Sequence, residues 1–349
     1  MKAMVLKAAN TPFVLENRPD PSPGPGEAVA RVITCGSGLT IHHVKAGRAP
    51  VDFPRIIGHE ITGEIVATGT GVNSTGAGGL AVGDPVTAYF YLTCGECRWC
   101  RIDRETLCEN NDGYIGRDID GGYAEYIKLP ARSYIKLPDG LDYRNFPAEI
   151  GIITDAIATP VKVVRRARIT ANDTVAVFGA GGGLGIHMVM LARWAHASVI
   201  AIDIRAEKLA ACRDAGADMV VDAAAGNVAE ALMDATRGTG VDVAIDFVSS
   251  TATLEAAVAA LGPGGRLVTL GGGGETFRAD SRAMLGKELE LIGSRYATRQ
   301  EVLDALELVA RGDIRPLVTE IRPLEEAEQL HERIEQGLVT GRAALRISE

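Results

Sequence analysis

Residues 174–203 read TVAVFGAGGGLGIHMVMLARWAHASVIAID, and this stretch decides the fold. Its two ends, TVAVF and SVIAI, are short apolar runs without polar alternation, the texture of strands covered on both faces. Between them, GIHMVMLARWAHA carries a helical pattern. Gly179, Gly181, Gly182, Gly183 and Gly185 crowd the passage from strand to helix. A turn without side chains lets the backbone approach a pyrophosphate seated on the helix N-terminus. The usual third glycine falls at Leu184, and Gly185 comes one place later. Asp203 closes the second strand, 24 residues after Gly179. A carboxylate there accepts hydrogen bonds from ribose hydroxyls and repels a 2′-phosphate, so NAD(H) is expected over NADP(H). Neighbouring Arg205 keeps the second cofactor open, and a solvent-facing strand-end aspartate is the plain alternative.

Outward from this stretch, DMVVD, VDVAIDF, RLVTL and LELIG add four more apolar runs, most of them separated by helical patterns such as AEKLAACRDAGA. Six such strands alternating with helices predict an α/β fold, a doubly wound parallel sheet over about residues 156–294. Before it the texture differs. EAVARVITCG, HEITGEIVATG, DPVTAYFYL and GGYAEYIKLP alternate with period two between Gly and Pro turns, which predicts an antiparallel β domain over residues 1–155. PDPSPGPGE, residues 19–27, reads as a rigid surface loop inside that domain rather than a linker. The final residues, 295–349, hold a helical segment, RQEVLDALELVARGD, and a strand, GRAALRI.

At 349 residues the chain exceeds one compact core, so two domains are the expectation. A net charge of −9 with no Lys/Arg cluster argues against a nucleic-acid surface. No apolar run reaches membrane-spanning length, and MKAMVLKAANTPFVLENRPD lacks the apolar core of a secretion signal. A cytoplasmic protein without a membrane partner is expected. Thiols stay reduced there, so clustered cysteines more often hold metal than form disulfides.

Four of the six cysteines lie in YLTCGECRWCRIDRETLCEN, as Cys94, Cys97, Cys100 and Cys108. This C-x2-C-x2-C-x7-C spacing brings four thiolates onto one loop, enough to close a tetrahedral zinc shell with no position left for water or substrate. Such a site is structural; an iron–sulfur cluster is the other occupant that thiolates alone allow. Arg98, Arg101 and Arg104 offset the anionic charge. Any chemistry therefore lies elsewhere, and RVITCGSGL and PRIIGHEITGEI supply Cys35, His59 and Glu60. Taken singly, Cys35 reads as a small buried hydrophobe and His59 as a structural histidine.

Together, Cys35-Gly36-Ser37, Gly58-His59-Glu60, the four-cysteine loop and the glycine turn after TVAVF resemble the zinc-dependent medium-chain alcohol dehydrogenases, in order and approximate spacing along nearly all of the chain. The resemblance implies a GroES-like catalytic domain, a Rossmann cofactor domain and a C-terminal return to the first. It implies two zinc ions per subunit, the catalytic one on Cys35, His59 and Asp155, where many relatives use Cys or Glu in place of Asp155. A helix-start aspartate favoured by the dipole is the bland reading of Asp155. Glu60 resembles a carboxylate that tunes the metal, and Ser37 the hydroxyl that passes on the substrate proton. The implied reaction is reversible hydride transfer between a zinc-bound alkoxide and NAD, giving an aldehyde or ketone.

The pattern departs from many relatives at Gly38 and Thr40, where those carry an Asp and a relay His. His42 and His43 follow at once, and either could take the relay role, with His43 named as the candidate. Arg342 matches a position that contacts the cofactor pyrophosphate in relatives, and Arg295 could lie near the nicotinamide. Phe90 is placed by analogy in the pocket of a small alcohol or carbonyl substrate of unspecified class. Relatives pair through the edge strand, here LELIG, so a homotetramer is expected, with a homodimer the alternative. Two other readings compete: a zinc-free reductase of activated alkenes, and a catalytically silent NAD-binding protein. Neither needs three ligand-type residues, a carboxylate and a hydroxyl donor together.

Overall fold

The computed structural model describes residues 1–73, 79–272 and 274–348. The chain divides into two compact units, Met1–Asp155 with Thr298–Glu349, and Ala156–Ala297. Residues 295–297 thus belong to the second unit.

Among the described residues, the second unit carries a six-stranded parallel sheet. Its order runs Met219–Asp222, Ser198–Asp203, Thr174–Phe178, Val241–Asp246, Leu261–Thr269, Glu290–Gly293. The order reverses beside Thr174–Phe178, the strand that feeds the glycine turn, which is where doubly wound sheets bind nucleotides. Phe178, Ile200, Ile202, Leu254, Leu261 and Leu267 are all nearly inaccessible and belong to one cluster beneath the helices. Their burial explains why these strands read as continuous apolar runs.

The first unit is built around the long strand Glu27–Ser37, whose neighbours set the site. Glu60–Thr68 pairs antiparallel with it, with Gly36 opposite Glu60 and Cys35 opposite Ile61. On the other side Arg342–Arg346 pairs antiparallel, with Ser37 opposite Ala343 and Cys35 opposite Leu345. Cys35, Ser37, Glu60 and Arg342 therefore meet through sheet register, although they are far apart in sequence.

One expectation needs correction. The β domain is not wholly antiparallel, because Val318–Pro323 runs parallel to Arg342–Arg346. The helix Ala327–Glu335 lies between these strands in sequence and supplies the crossover that a parallel pair requires.

Asp155 also departs from the helix-start reading. It lies within a π-helical turn, Ile153–Ile157, set between the helices Pro147–Gly151 and Ala158–Ala167. Single π-turns inside helical runs are frequent at functional sites.

Candidate active site and metal centres

The strand ends of the first unit bury a dense group of ionisable side chains. Cys35 and Glu60 are inaccessible, and His59, Asp155 and Arg342 are each at most 4% exposed. Arg342 Nε donates to Glu60 Oε2 at 3.0 Å and Nη2 donates to Oε1 at 2.7 Å. The same Nη2 donates to Asp155 Oδ2 at 2.9 Å. His59 Nε2 stands 3.9 Å from that oxygen, and its ring packs on Phe90 with centroids 4.3 Å apart.

Glycines make room for this cluster. A Cβ on Gly38 would lie 2.2 Å from Arg342 Nη1, and one on Gly36 would lie 2.5 Å from Glu60 Oε2. The glycine at 38, a departure in the sequence pattern, is thus the residue that admits the guanidinium. Around the thiol, a Cβ on Gly58 would come 2.8 Å from Cys35 Sγ, and one on Gly122 would come 3.0 Å from it. Gly116 and Gly121 press on the Gly58 backbone in turn, at 2.8 and 2.1 Å for a built Cβ.

The charge balance has a chemical meaning. Burial raises the Glu60 carboxyl above its ordinary range, and the opposing pull of Arg342 does not cancel this. Burial, with Glu60 adding to it, pushes the Cys35 thiol up. One guanidinium faces two carboxylates here. If Cys35 ionised, the pocket would carry two negative charges in excess, which a divalent cation would neutralise. Thiolate, imidazole and carboxylate are also a donor set suited to zinc. The site therefore fits such an ion in chemistry. In geometry, Cys35, His59 and Asp155 are not drawn together as tightly as the cysteine lobe, because Asp155 is turned to Arg342.

In that lobe the fit is direct. Among the described residues, Cys94, Cys97, Cys100 and Cys108 form the one group whose donor atoms all lie within 4.8 Å. Four of the sulfur–sulfur separations are 3.5–3.9 Å, against about 3.8 Å for the edge of a tetrahedron with zinc–sulfur bonds near 2.3 Å. Backbone amides aim at the sulfurs, Cys97 N to Cys94 Sγ and Cys94 N to Cys108 Sγ, each at 3.4 Å. The amides of Glu109 and Cys100 pull the Cys97 thiol down to about 6. Arg98 and Arg104 stack on Trp99, and Arg98 also pairs with Glu109 at 2.7 Å.

Ser37 is 1% exposed and shares a short hydrogen bond with the Tyr123 hydroxyl, which reaches His331 Nε2 at 2.9 Å. Neither Tyr123 nor His331 stands out in the sequence; the one local signal is the glycine pair before Tyr123 in GGYAEY. The helix Leu39–Lys45 buries His42 and turns His43 toward Arg48, whose Nη1 is 3.5 Å from its Nδ1. Arg342, expected at the cofactor phosphate, has Nε and Nη2 bound to the two carboxylates. Arg295 lies in the second unit, where its carbonyl accepts from Lys162 Nζ at 3.1 Å.

At the glycine turn, Gly179 adopts φ +70°, a conformation open chiefly to glycine. Leu184 precedes the helix Gly185–Trp194 and acts as its cap position. A Cβ on Gly185 would lie 2.2 Å from the Gly179 carbonyl oxygen, so close strand-to-helix packing falls one residue later than the motif predicts. Asp203 Oδ2 accepts from Gly181 N at 2.9 Å, and Oδ1 accepts from Ile204 N at 2.8 Å. The carboxylate is thus fixed on the Gly181 amide of the turn that also holds Gly182 and Gly183. Arg205 Nη1 faces Glu207 at 3.7 Å.

Comparison with known proteins agrees with both halves. Residues 24–139 match the alcohol dehydrogenase GroES-like domain, and residues 183–311 match the zinc-binding dehydrogenase domain. An alcohol dehydrogenase of Geobacillus stearothermophilus is 33% identical over the full length of both chains. An NAD-dependent alcohol dehydrogenase of Sulfurisphaera tokodaii is 31% identical over 99% of each. The solved alcohol dehydrogenase of Aeropyrum pernix superposes with a TM-score of 0.90 at 35% identity, over 99% of this chain and 100% of that one. The chain belongs to the zinc-dependent medium-chain dehydrogenase family.

Proposed function

We propose that the protein is an NAD-dependent alcohol dehydrogenase, interconverting an alcohol with its aldehyde or ketone. The observation that carries this reading is the buried group of Cys35, His59, Glu60 and Asp155 around Arg342, beside the Ser37 hydroxyl. Cys35, His59 and Asp155 would hold the catalytic zinc, and the four lobe cysteines a structural one. When bound, the catalytic ion supplies a Lewis acid that lowers the pKa of an alcohol, and the nicotinamide supplies the hydride acceptor.

The chain's own part is orientation and proton handling. Ser37 accepts the hydroxyl proton of the substrate and passes on its own. Arg342 fixes Glu60 and Asp155, so the charge around the site is set before substrate arrives. Asp203, locked by backbone amides beside the glycine turn, receives the ribose hydroxyls and selects against a 2′-phosphate. Among the described residues no helix is long and apolar enough to cross a membrane. A four-cysteine lobe that would hold metal rather than disulfides suits a reducing cytoplasm. The sheet-edge strand Glu290–Gly293, with Leu291 39% exposed, is the surface through which a dimer or tetramer would pair.

The test is zinc per subunit by elemental mass spectrometry, with Cys35→Ala alongside, followed by an alcohol screen with NAD. Two ions falling to one in the variant, with NADH formed from an alcohol, is the expected outcome. One ion in both proteins would remove the catalytic site from the reading.

A further inference from the structure

We propose that Tyr123, His331 and His42 form a proton relay that connects Ser37 to solvent at Glu335; this rests on the dehydrogenase reading above. The series is hydrogen-bonded from Ser37 to His331 and continues by ring and ion-pair contacts to Glu335. Ser37 Oγ is bonded to Tyr123 OH, and Tyr123 OH is 2.9 Å from His331 Nε2. The His331 and His42 rings lie side by side, centroids 5.6 Å apart and planes 34° from each other. His42 Nε2 is 3.3 Å from Glu335 Oε1, and the Glu335 side chain is 51% exposed. Tyr123 and His331 are inaccessible, Ser37 is 1% exposed and His42 2%. The series therefore begins at full burial and ends in water.

Its unpartnered ring nitrogens are what a merely structural network would not leave. His331 Nδ1 and both ring nitrogens of His42 are buried without a hydrogen-bond partner among the described residues, so the 3.3 Å approach of His42 Nε2 to Glu335 is an ion-pair contact rather than an aligned hydrogen bond. Buried polar atoms are ordinarily satisfied by nearby backbone or by water, and the proposed transfer between the two rings would run through a bridging water. The surroundings keep the relay neutral at rest. Burial drives the His331 imidazole well below its ordinary range, with His42 and Lys45 adding to the effect. Lys45 is tied to Glu328 at 2.8 Å, Arg48 to Glu335 at 3.0 Å, and the Phe13 ring packs edge-on against His331 with centroids 5.1 Å apart.

The step balances with no electron transfer. As the alcohol hydroxyl gives its proton to Ser37 Oγ, Ser37 gives its own hydrogen to Tyr123. Tyr123 gives its hydrogen to His331 Nε2, and the hydrogen on His331 Nδ1 leaves toward His42 Nδ1. His42 then releases the hydrogen on Nε2 to the Glu335 carboxylate, and from there it reaches bulk water. One proton enters and one leaves. In carbonyl reduction the same series runs inward.

The experiment uses the full-length, zinc-loaded protein with NAD and an alcohol that it oxidises, comparing wild type with Tyr123→Phe and His331→Gln. The first removes the hydroxyl and keeps the ring; the second keeps an acceptor for Tyr123 but cannot carry a proton through. Zinc content and NADH binding, read by nicotinamide fluorescence, should match wild type in both. Alcohol oxidation should slow about a hundredfold or more, the low side of what a positioned proton acceptor contributes. Proton transfer should then limit the rate, so the solvent deuterium effect should rise and the effect of a deuterated substrate carbon should shrink. Wild-type rates in both variants would overturn the relay, and so would slower rates with an unmoved solvent effect. A loaded wild type that oxidises no alcohol would overturn the dehydrogenase reading and the relay with it.

Discussion

Arg342 grips both oxygens of Glu60 across 282 residues of sequence and reaches Asp155 with the same Nη2. This single guanidinium is the counter-charge for two buried carboxylates. Arg342→Leu should therefore destabilise the first unit by roughly 3–5 kcal/mol, the usual cost of stripping one partner from a buried pair. Arg342→Lys should fall between, since a lysine cannot make the paired contacts. Urea unfolding followed by tryptophan fluorescence measures both; stabilities equal to wild type would contradict the assignment.

The room for that guanidinium comes from Gly38. Its φ of −152° is extended backbone that any residue can adopt, so the effect of substitution is steric alone. Gly38→Ala should cost about 1–3 kcal/mol, as overpacking does. In the Arg342→Leu background the same change should cost much less. A double-mutant cycle gives the coupling, and strict additivity would mean the two residues do not clash.

The cysteine lobe makes a metal prediction independent of catalysis. Cys97→Ser should lower zinc by one ion per chain and leave the Cys35 site loaded. Limited proteolysis should then cut within residues 94–108, and the wild-type chain should resist there. An unchanged zinc count would show that the four thiols do not share an ion.

Histidine burial predicts a pH dependence. His331 binds its proton more weakly folded than unfolded, so as pH falls below about 6.5 the unfolded chain takes up the proton first. Stability contributed by the neutral ring is complete above that pH and is lost as acid is added, at up to about 1.4 kcal/mol per pH unit. His42 is shifted in the same direction, chiefly by burial. Melting curves from pH 7.5 to 5 should fall less steeply for His331→Gln than for wild type. Parallel curves would rule out His331 as a contributor.

Fold and site were legible to different depths. The parallel sheet and the cysteine lobe announce themselves because their causes are local: apolar runs, a glycine turn, thiols within 15 residues of one another. The pairing of Arg342 with Glu60 depends on sheet register between strands from opposite ends of the chain, and no local pattern encodes it. The link between Tyr123 and His331 spans 208 residues. Between His42 and His43, a step of about 100° around the helix decides which faces inward, and the seven-residue segment is too short to reveal its phase. Leu184 and Gly185 show a gentler miss, since the packing role of a motif glycine survives a shift of one place.

The glycines around Cys35 carry a consequence for how this site can change over generations. Gly58, Gly116 and Gly121 are packed backbone to backbone, with no space for even one methyl group. They bear no functional group, yet any replacement would displace the wall against which the thiol rests. A saturation scan should therefore score these positions nearly as intolerant as Cys35 itself. New specificities would have to arise elsewhere in the pocket, around this immovable patch of bare main chain.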